Sequence, residues 1–253
     1  MGKKGGSKHL KRLPAPTFWP IHKKEFKWVV KPKPGPHMKD RSFPLLLIIR
    51  EILGLAKNRK EAKRILSENY FKVDGVIRKK DTFSVGLMDV LDISVIKKSY
   101  RILPLRRKGL GLHVIDGAEK DFKLCKILNK TIVKGGISQL NLHDGRNILL
   151  KKSDSEPITE NVIKTHDVLK IDLPNSKILD HLSFDVGAFA IVENGKNIGR
   201  WGEIIAIEKK GALQPSIVTL KDLEDNQFKT ILNYVFPIGK NEPWISLPEE
   251  IKQ

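Results

Sequence analysis

His143-Asp144 and His166-Asp167 are adjacent imidazole–carboxylate pairs, the residues of this chain whose types and spacing come nearest to phosphohydrolase chemistry. Each pair sits at a turn before a strand pattern, where an aspartate is favoured for bonding its own backbone. The histidines (His9, His22, His37, His113, His143, His166 and His181) show no His-x-x-x-His spacing, so a metal site would need long-range convergence and none is expected. Cys125 is the single cysteine, which excludes an intrachain disulfide, and its apolar and basic neighbours suit a buried structural thiol better than a nucleophile. There is no Gly-x-Ser-x-Gly elbow and no Walker A sequence, and Gly109-Leu110-Gly111 lacks the third glycine of a dinucleotide fingerprint. No catalytic residue and no cofactor are therefore expected. The remaining chemical capacity is cationic: 47 Lys and Arg against 29 Asp and Glu give a net charge of +18 over 253 residues. Such a surface collects polyanions.

The charge is unevenly carried. Residues 1–44 hold twelve basic and two acidic side chains, together with seven of the fourteen prolines. Each proline fixes φ and removes an amide donor, so neither a regular helix nor a central strand is expected there. This composition predicts an extended basic arm over residues 1–42, with Lys3, Lys4, Lys8, Lys11, Arg12, Lys23, Lys24, Lys27, Lys39 and Arg41 meeting phosphate. Phe18, Trp19, Phe26, Trp28 and Phe43 are unusual in a merely solvating tail. Trp19 is taken as an RNA-contact residue, and Trp19 and Trp28 are expected to pin the arm by stacking or by insertion. An arm of this composition is expected to contribute little to the stability of the isolated protein. Residues 181–253 carry eight basic against ten acidic side chains, so that end is no generic polyanion binder.

From residue 43 the pattern changes. Leu45, Leu46, Ile49, Ile52 and Leu53 recur at helical spacing up to Gly54, and Asn58 with Glu61 forms a capping box ahead of Ala62, Ile65 and Leu66. Arg59 with Lys63 and Lys60 with Arg64 are like-charge i, i+4 pairs whose repulsion a polyanion would relieve. Asp74-Gly75 between two valines signals a tight hairpin, followed by Arg78, Lys79 and Lys80 and a closing strand in Asp89–Ile93. This order resembles the S-four-type RNA-binding domain of ribosomal proteins, pseudouridine synthases and some tRNA synthetases. The resemblance implies that Arg59, Lys60, Lys63, Arg64, Asp74, Gly75, Arg78, Lys79 and Lys80 face RNA.

Residues 95–182 alternate short β-branched runs with turns: Leu110 to Ile115, Ile127 to Val133, Leu140 to Leu142, Ile148 to Leu150 and Val168 to Leu173, with a short helix near Ala118 to Leu124. A central β-barrel-like domain is expected, its Arg106-Arg107-Lys108 and Lys151-Lys152 clusters at loops. Beyond it, Phe189 and Ile191, the turn Asn194-Gly195-Lys196-Asn197 and then Gly199-Arg200-Trp201-Gly202 resemble a KOW motif in an SH3-like barrel. That likeness implies docking on RNA or protein through Asn194, Gly195, Lys196, Asn197, Gly199 and Arg200.

The order of the modules is more specific than any one of them. Lys8-His9-Leu10-Lys11-Arg12-Leu13, Gly35-Pro36-His37, the helical unit, Lys123-Leu124-Cys125-Lys126, the KOW segment and Pro243-Trp244-Ile245-Ser246-Leu247-Pro248 together resemble the S-four-e family of the small ribosomal subunit in archaea and eukaryotes. A chain that stops soon after Pro248 looks archaeal. The expected architecture is α+β and multidomain: an arm (1–42), an S-four-type domain (43–94), a central β domain (95–182), an SH3-like barrel (183–238) and a tail (239–253). The resemblance implies a noncatalytic ribosomal protein whose partners are small-subunit ribosomal RNA and neighbouring small-subunit proteins. An RNA-modifying or translation-accessory enzyme using the same module is the alternative, and a KOW-bearing transcription factor a third reading. The longest apolar run, Phe43 to Ile49, is too short to cross a bilayer, and the basic start lacks the apolar core of a secretory signal. The expected setting is the cytoplasmic ribosome, without membrane contact and without a homo-oligomer.

Overall fold

The computed structural model describes residues 7–150, 163–211 and 214–248, and the chain there is mostly β. Lys3, Lys4, Lys151 and Lys152 lie outside the described residues. Three antiparallel five-stranded sheets follow one another. The first runs in the order Val76–Ile77, Phe71–Val73, Val90–Ile93, Lys98–Leu105, Gly109–Ile115. The middle sheet runs Asn147–Leu150, Ile137–Leu142, Phe122–Val133, Val168–Asp172, Ile178–Leu182. The last runs Gln227–Ile231, Ile217–Lys221, Trp201–Glu208, Phe189–Val192, Val235–Gly239.

The period-2 pattern that predicts these strands is kept in their burial. Ser138, Leu140 and Leu142 point inward along one strand while Ile137, Gln139 and Asn141 stay partly exposed. Two expectations need correction. The short helix near Ala118 to Leu124 is only a 3-10 turn, Glu119–Asp121, and Phe122 already begins a twelve-residue strand. The first sheet also runs through the boundary expected after residue 94, because Lys98–Ser99 pair with Ile93 and Asp92. Pro104 in that strand carries no strand signal, yet its missing N–H does no harm. The neighbouring strand pairs only as far as Arg101, so Pro104 lies where that side of the ladder has ended.

The helical stripe is likewise broader than its spacing predicts. Leu45–Leu47 is α-helical and Ile48–Ile52 widens into a π turn, and every residue from Leu45 to Ile49 is buried. A helix apolar on all sides needs a cover on its outer side. The arm provides it, since Leu10, Ala15 and Trp19 belong to the same hydrophobic cluster as Phe43, Leu45 to Ile49, Ala62 and Leu66. A second cluster joins the units to one another: Leu103 of the first sheet and Met88, in the turn before its strand Val90–Ile93, meet Leu124, Val168 and Leu182 of the middle one and Ile191, Phe236 and Ile238 of the last. Ile245 is buried in that junction, so residues expected to form a tail close it instead.

Candidate nucleic-acid interface

The helix Arg59–Ser67 starts where Asn58 Oδ1 accepts a bond from the Glu61 backbone N–H at 3.0 Å. Glu61 returns its carboxylate to the Lys57 N–H at 2.8 Å, one residue before the cap that a simple capping box would use. Ala62 and Leu66 face the core, which leaves Lys60 and Lys63 in solvent. The expected mutual repulsion is partly answered inside the chain: Arg59 Nε reaches Asp81 at 2.6 Å and Arg64 Nε reaches Glu68 at 3.7 Å. The Arg59–Asp81 contact also brings the exposed Lys79 and Lys80 beside the start of the helix, while Arg78 lies over the Phe83 ring at 4.5 Å.

Asp74 and Gly75 have φ of 51° and 75°, the left-handed pair of a tight hairpin turn between Val73 and Val76. Only Gly75 of the two faces outward. Asp74 does not face RNA, because its carboxylate is buried and accepts from the Val90 N–H at 3.0 Å and from Lys123 Nζ and Arg146 Nη2 at 2.8 Å each. Lys123 is itself buried, and its ammonium also meets Asp89 at 2.5 Å and Asp144 at 3.0 Å. His37, from the arm, closes on Asp89 at 2.9 Å. This cluster therefore ties the arm, the first sheet and the middle sheet together. Burial pushes the Asp89 and Asp144 carboxyls up, but Lys123 together with His37 at the first, and with His143 and Arg146 at the second, outweighs it, so Asp89 stays well below the usual range and Asp144 falls to about 2. Burial also pulls on Lys123, yet the three carboxylates hold its ammonium well above an ordinary lysine.

The His-Asp pairs resolve into supports for this architecture. The Lys126 N–H donates to His143 Nδ1 at 3.2 Å, which leaves Nε2 as the protonated nitrogen donating to the Leu87 carbonyl at 3.1 Å. His143 is thus a neutral bridge. Burial first, and the nearby Lys123 charge second, lower it to about 3. Because the unfolded imidazole takes a proton near 6.5 and the folded one does not, this residue contributes stability above pH 6.5 that is lost as pH falls toward 3. Urea unfolding of the isolated protein should therefore show a midpoint that declines from pH 7 to pH 5, and His143→Gln should flatten that decline. In the second pair, Asp167 accepts from His181 at 2.8 Å rather than from His166, and also from the Lys164 and Phe184 N–H groups. Cys125 is buried with its thiol pushed well up by desolvation.

The arm is not extended over its length. Trp19, 3% exposed, donates Nε1–H to the Ser42 carbonyl at 2.9 Å and has no face left for a base. Arg12 is buried and donates to the carbonyls of His22 and Trp28 and to Glu25. These two residues were expected to contact RNA. They fasten the arm to its own chain instead, around the small strand pair Leu10–Lys11 with Trp28–Val29. Lys8, Lys11, Lys24, Lys27 and Arg41 remain exposed, and Lys23 and Lys39 are half-buried. Lys31, Lys33 and Lys57, absent from the residues expected to meet phosphate, are all exposed, and of the two tryptophans expected to pin the arm it is Trp28 that is open. The alternation Lys31-Pro32-Lys33-Pro34 was the available signal, since prolines hold the intervening lysines outward.

In the last sheet the loop Asn194–Arg200 joins Phe189–Val192 to Trp201–Glu208. Gly195 and Lys196 are exposed, Asn194 and Asn197 half-buried. Gly199 is not available for docking. It has φ +78° and lies so close to the Leu105–Arg106 backbone that a Cβ would stand 2.3 Å from the Arg106 nitrogen. Arg200 is also engaged, stacked 4.0 Å over Phe228 and bonded to Asp222 at 3.1 Å.

Residues 96–178 match the model of Ribosomal family S4e, and residues 4–40 match the RS4NT (NUC023) domain. The small ribosomal subunit protein eS4 of Staphylothermus marinus is 51% identical over 249 residues, covering 98% of this chain and 99% of its own. This chain belongs to the S4e family. The eS4 protein of Methanocaldococcus jannaschii is 45% identical, with 98% of this chain and 100% of that one covered. The crystal structure of the 30S ribosomal protein S4e from Thermoplasma acidophilum superposes with a TM-score of 0.65 at 34% identity, covering 80% of this chain and 97% of that one. The S4e resemblance read from the order of modules is thus shown, and the buried Asp74–Lys123 cluster lies inside a member of that family.

Proposed function

We propose that this S4e chain holds small-subunit ribosomal RNA on one face assembled from three basic segments distant in sequence. As a member of its family it is a structural constituent of the small ribosomal subunit and not an enzyme. The observation that carries the RNA face is a pair of contacts. Arg59 reaches Asp81, and the Lys33 N–H donates to the Thr82 carbonyl at 3.1 Å, so helix Arg59–Ser67, the Lys79-Lys80 run and the arm's Lys31-Lys33 run lie side by side. Asp81 is spent in that joint and is buried, so it does not repel phosphate from outside. The exposed Gly195-Lys196 tip is read as a contact for a neighbouring subunit protein. The last sheet is read as an SH3-like barrel, the middle one as a small barrel, and the setting as the cytoplasmic ribosome. No helix among the described residues is long and apolar enough to cross a membrane.

Reversing charge at Lys60 and Lys63 together tests the face. Both side chains are in solvent, so the thermal midpoint should be unchanged while affinity for a ribosomal RNA fragment drops. The log-log salt dependence should flatten by roughly 0.7 to 0.9 for each phosphate no longer neutralised. Fluorescence anisotropy over a salt series reads both quantities, and an unchanged slope would move the RNA face elsewhere.

A further inference from the structure

Two grooves flank the arm's strand pair, one of about 930 Å³ against the helical segment and one of about 590 Å³ beside the arm's proline run. Trp28, Val29, Val30 and Arg59 border both, so the grooves meet along a line marked by the indole and the guanidinium. Trp28 is 47% exposed, an unusual state for the largest apolar side chain. His9 meets it edge-on at 4.7 Å and Lys27 Nζ lies 5.2 Å from its centroid, which orients the ring while leaving half its surface to solvent. Lys27 and Lys57 border the larger groove and Lys8 and Lys33 the smaller. The carboxylates at the larger groove are occupied: Glu25 pairs with Arg12 at 3.2 Å and Glu51 with Arg50 at 2.6 Å.

A trough lined by lysines, its acids neutralised and an indole open at its middle, suits a chain that carries both phosphates and flat apolar rings. We propose that these joined grooves seat a single-stranded RNA segment, with one unpaired base stacked on Trp28 and the flanking phosphates against Lys8, Lys27, Lys33 and Lys57. This rests on the reading that the adjoining face binds ribosomal RNA. A duplex would satisfy the lysines, but its bases are already stacked on one another and only the sugar–phosphate edge would meet the indole. An acidic peptide would leave the ring uncovered. Stacking an unpaired base covers it, and every base has a face to offer.

Anisotropy with a labelled twelve-nucleotide adenosine strand, the same strand paired with its complement, and an abasic strand of equal length tests this on the full chain. The unmodified protein should bind the intact strand about tenfold more tightly than the abasic one, a comparison that needs no variant to fold. Trp28→Ala should lose about tenfold on the intact strand with its salt slope unchanged, lose nothing on the duplex, and Trp28→Phe should recover most of the loss. Equal affinity for intact and abasic strands, or an equal loss by Trp28→Ala on strand and duplex, overturns the stacking seat. If the Lys60 and Lys63 reversals weaken ribosomal RNA binding while those controls show no stacking, this inference alone falls. If ribosomal RNA does not bind at all, the RNA face falls and this seat with it.

Discussion

Deleting residues 1–40 is expected to lower the thermal midpoint of the isolated protein by about 10 °C or more. Composition argues the opposite, since a proline-rich segment with a net charge of +9 repels itself and builds no core of its own. Packing decides against composition here. Trp19, Ala15 and Leu10 are buried in the cluster formed by Leu45 to Ile49, and Phe18 meets Phe43 edge-on at 5.0 Å. Truncating one buried tryptophan costs about 3 to 5 kcal/mol, and each kcal/mol moves the midpoint of a domain this large by about 2 to 4 °C. Repulsion among exposed lysines in solvent is worth only tenths of a kcal/mol per pair and is screened by salt. The deletion also takes Leu10, Ala15 and Trp19 out of the cluster that holds Leu47 and Ile48, and removes His37 from Asp89. Differential scanning calorimetry of the deletion beside Trp19→Ala measures the effect. A midpoint unchanged in both would mean that the arm is a loose tail and that the helical segment buries itself without it.

Lys123→Met should destabilise the protein by about 3 to 5 kcal/mol at pH 7, the cost typical of leaving buried charges uncompensated. The side chain fits by volume, so the loss is electrostatic. Asp74, Asp89 and Asp144 lose their shared cation, and Arg146 and His37 remain for them. The pH dependence separates this cause from bad packing. In the unmodified protein Asp89 and Asp144 titrate below their unfolded values, so their stabilisation is complete above about pH 4 and fades as pH falls through it. Without Lys123, burial raises carboxyls that nothing opposes as strongly, and protonation then favours the folded state. The gap between the two proteins should narrow from pH 7 to pH 4 in urea unfolding. A gap constant with pH would assign the loss to packing, and the cluster would not be an electrostatic joint.

Much of the local structure is legible in the residues themselves. Asn58 with Glu61 announces a helix start, Asp74-Gly75 announces a hairpin, and the alternation in Ile137–Leu142 announces a strand buried on one face. The cationic, solvent-facing side of the helix is legible too, because Lys60 and Lys63 stand opposite Ala62 and Leu66 whatever packs below. The family is legible in the order of the modules, which needs no contact to be known.

Tertiary structure alone decided which cations and rings are open. Asp74 looked outward as a turn residue, but Lys123, 49 positions later, and Arg146, 72 positions later, took its carboxylate. Trp19 and Trp28 are equivalent in composition, yet Ser42 and the helical core enclose one and leave the other half open. The sheet that crosses residue 94 is a matter of pairing and not of periodicity. The physical reason is range. Helical and strand periods, caps and turns are set by neighbours within about four residues, and these a sequence contains. Burial of a lysine or a tryptophan depends on which distant element covers it, and whether its charge or its ring is spent inside the chain is settled only when that element arrives.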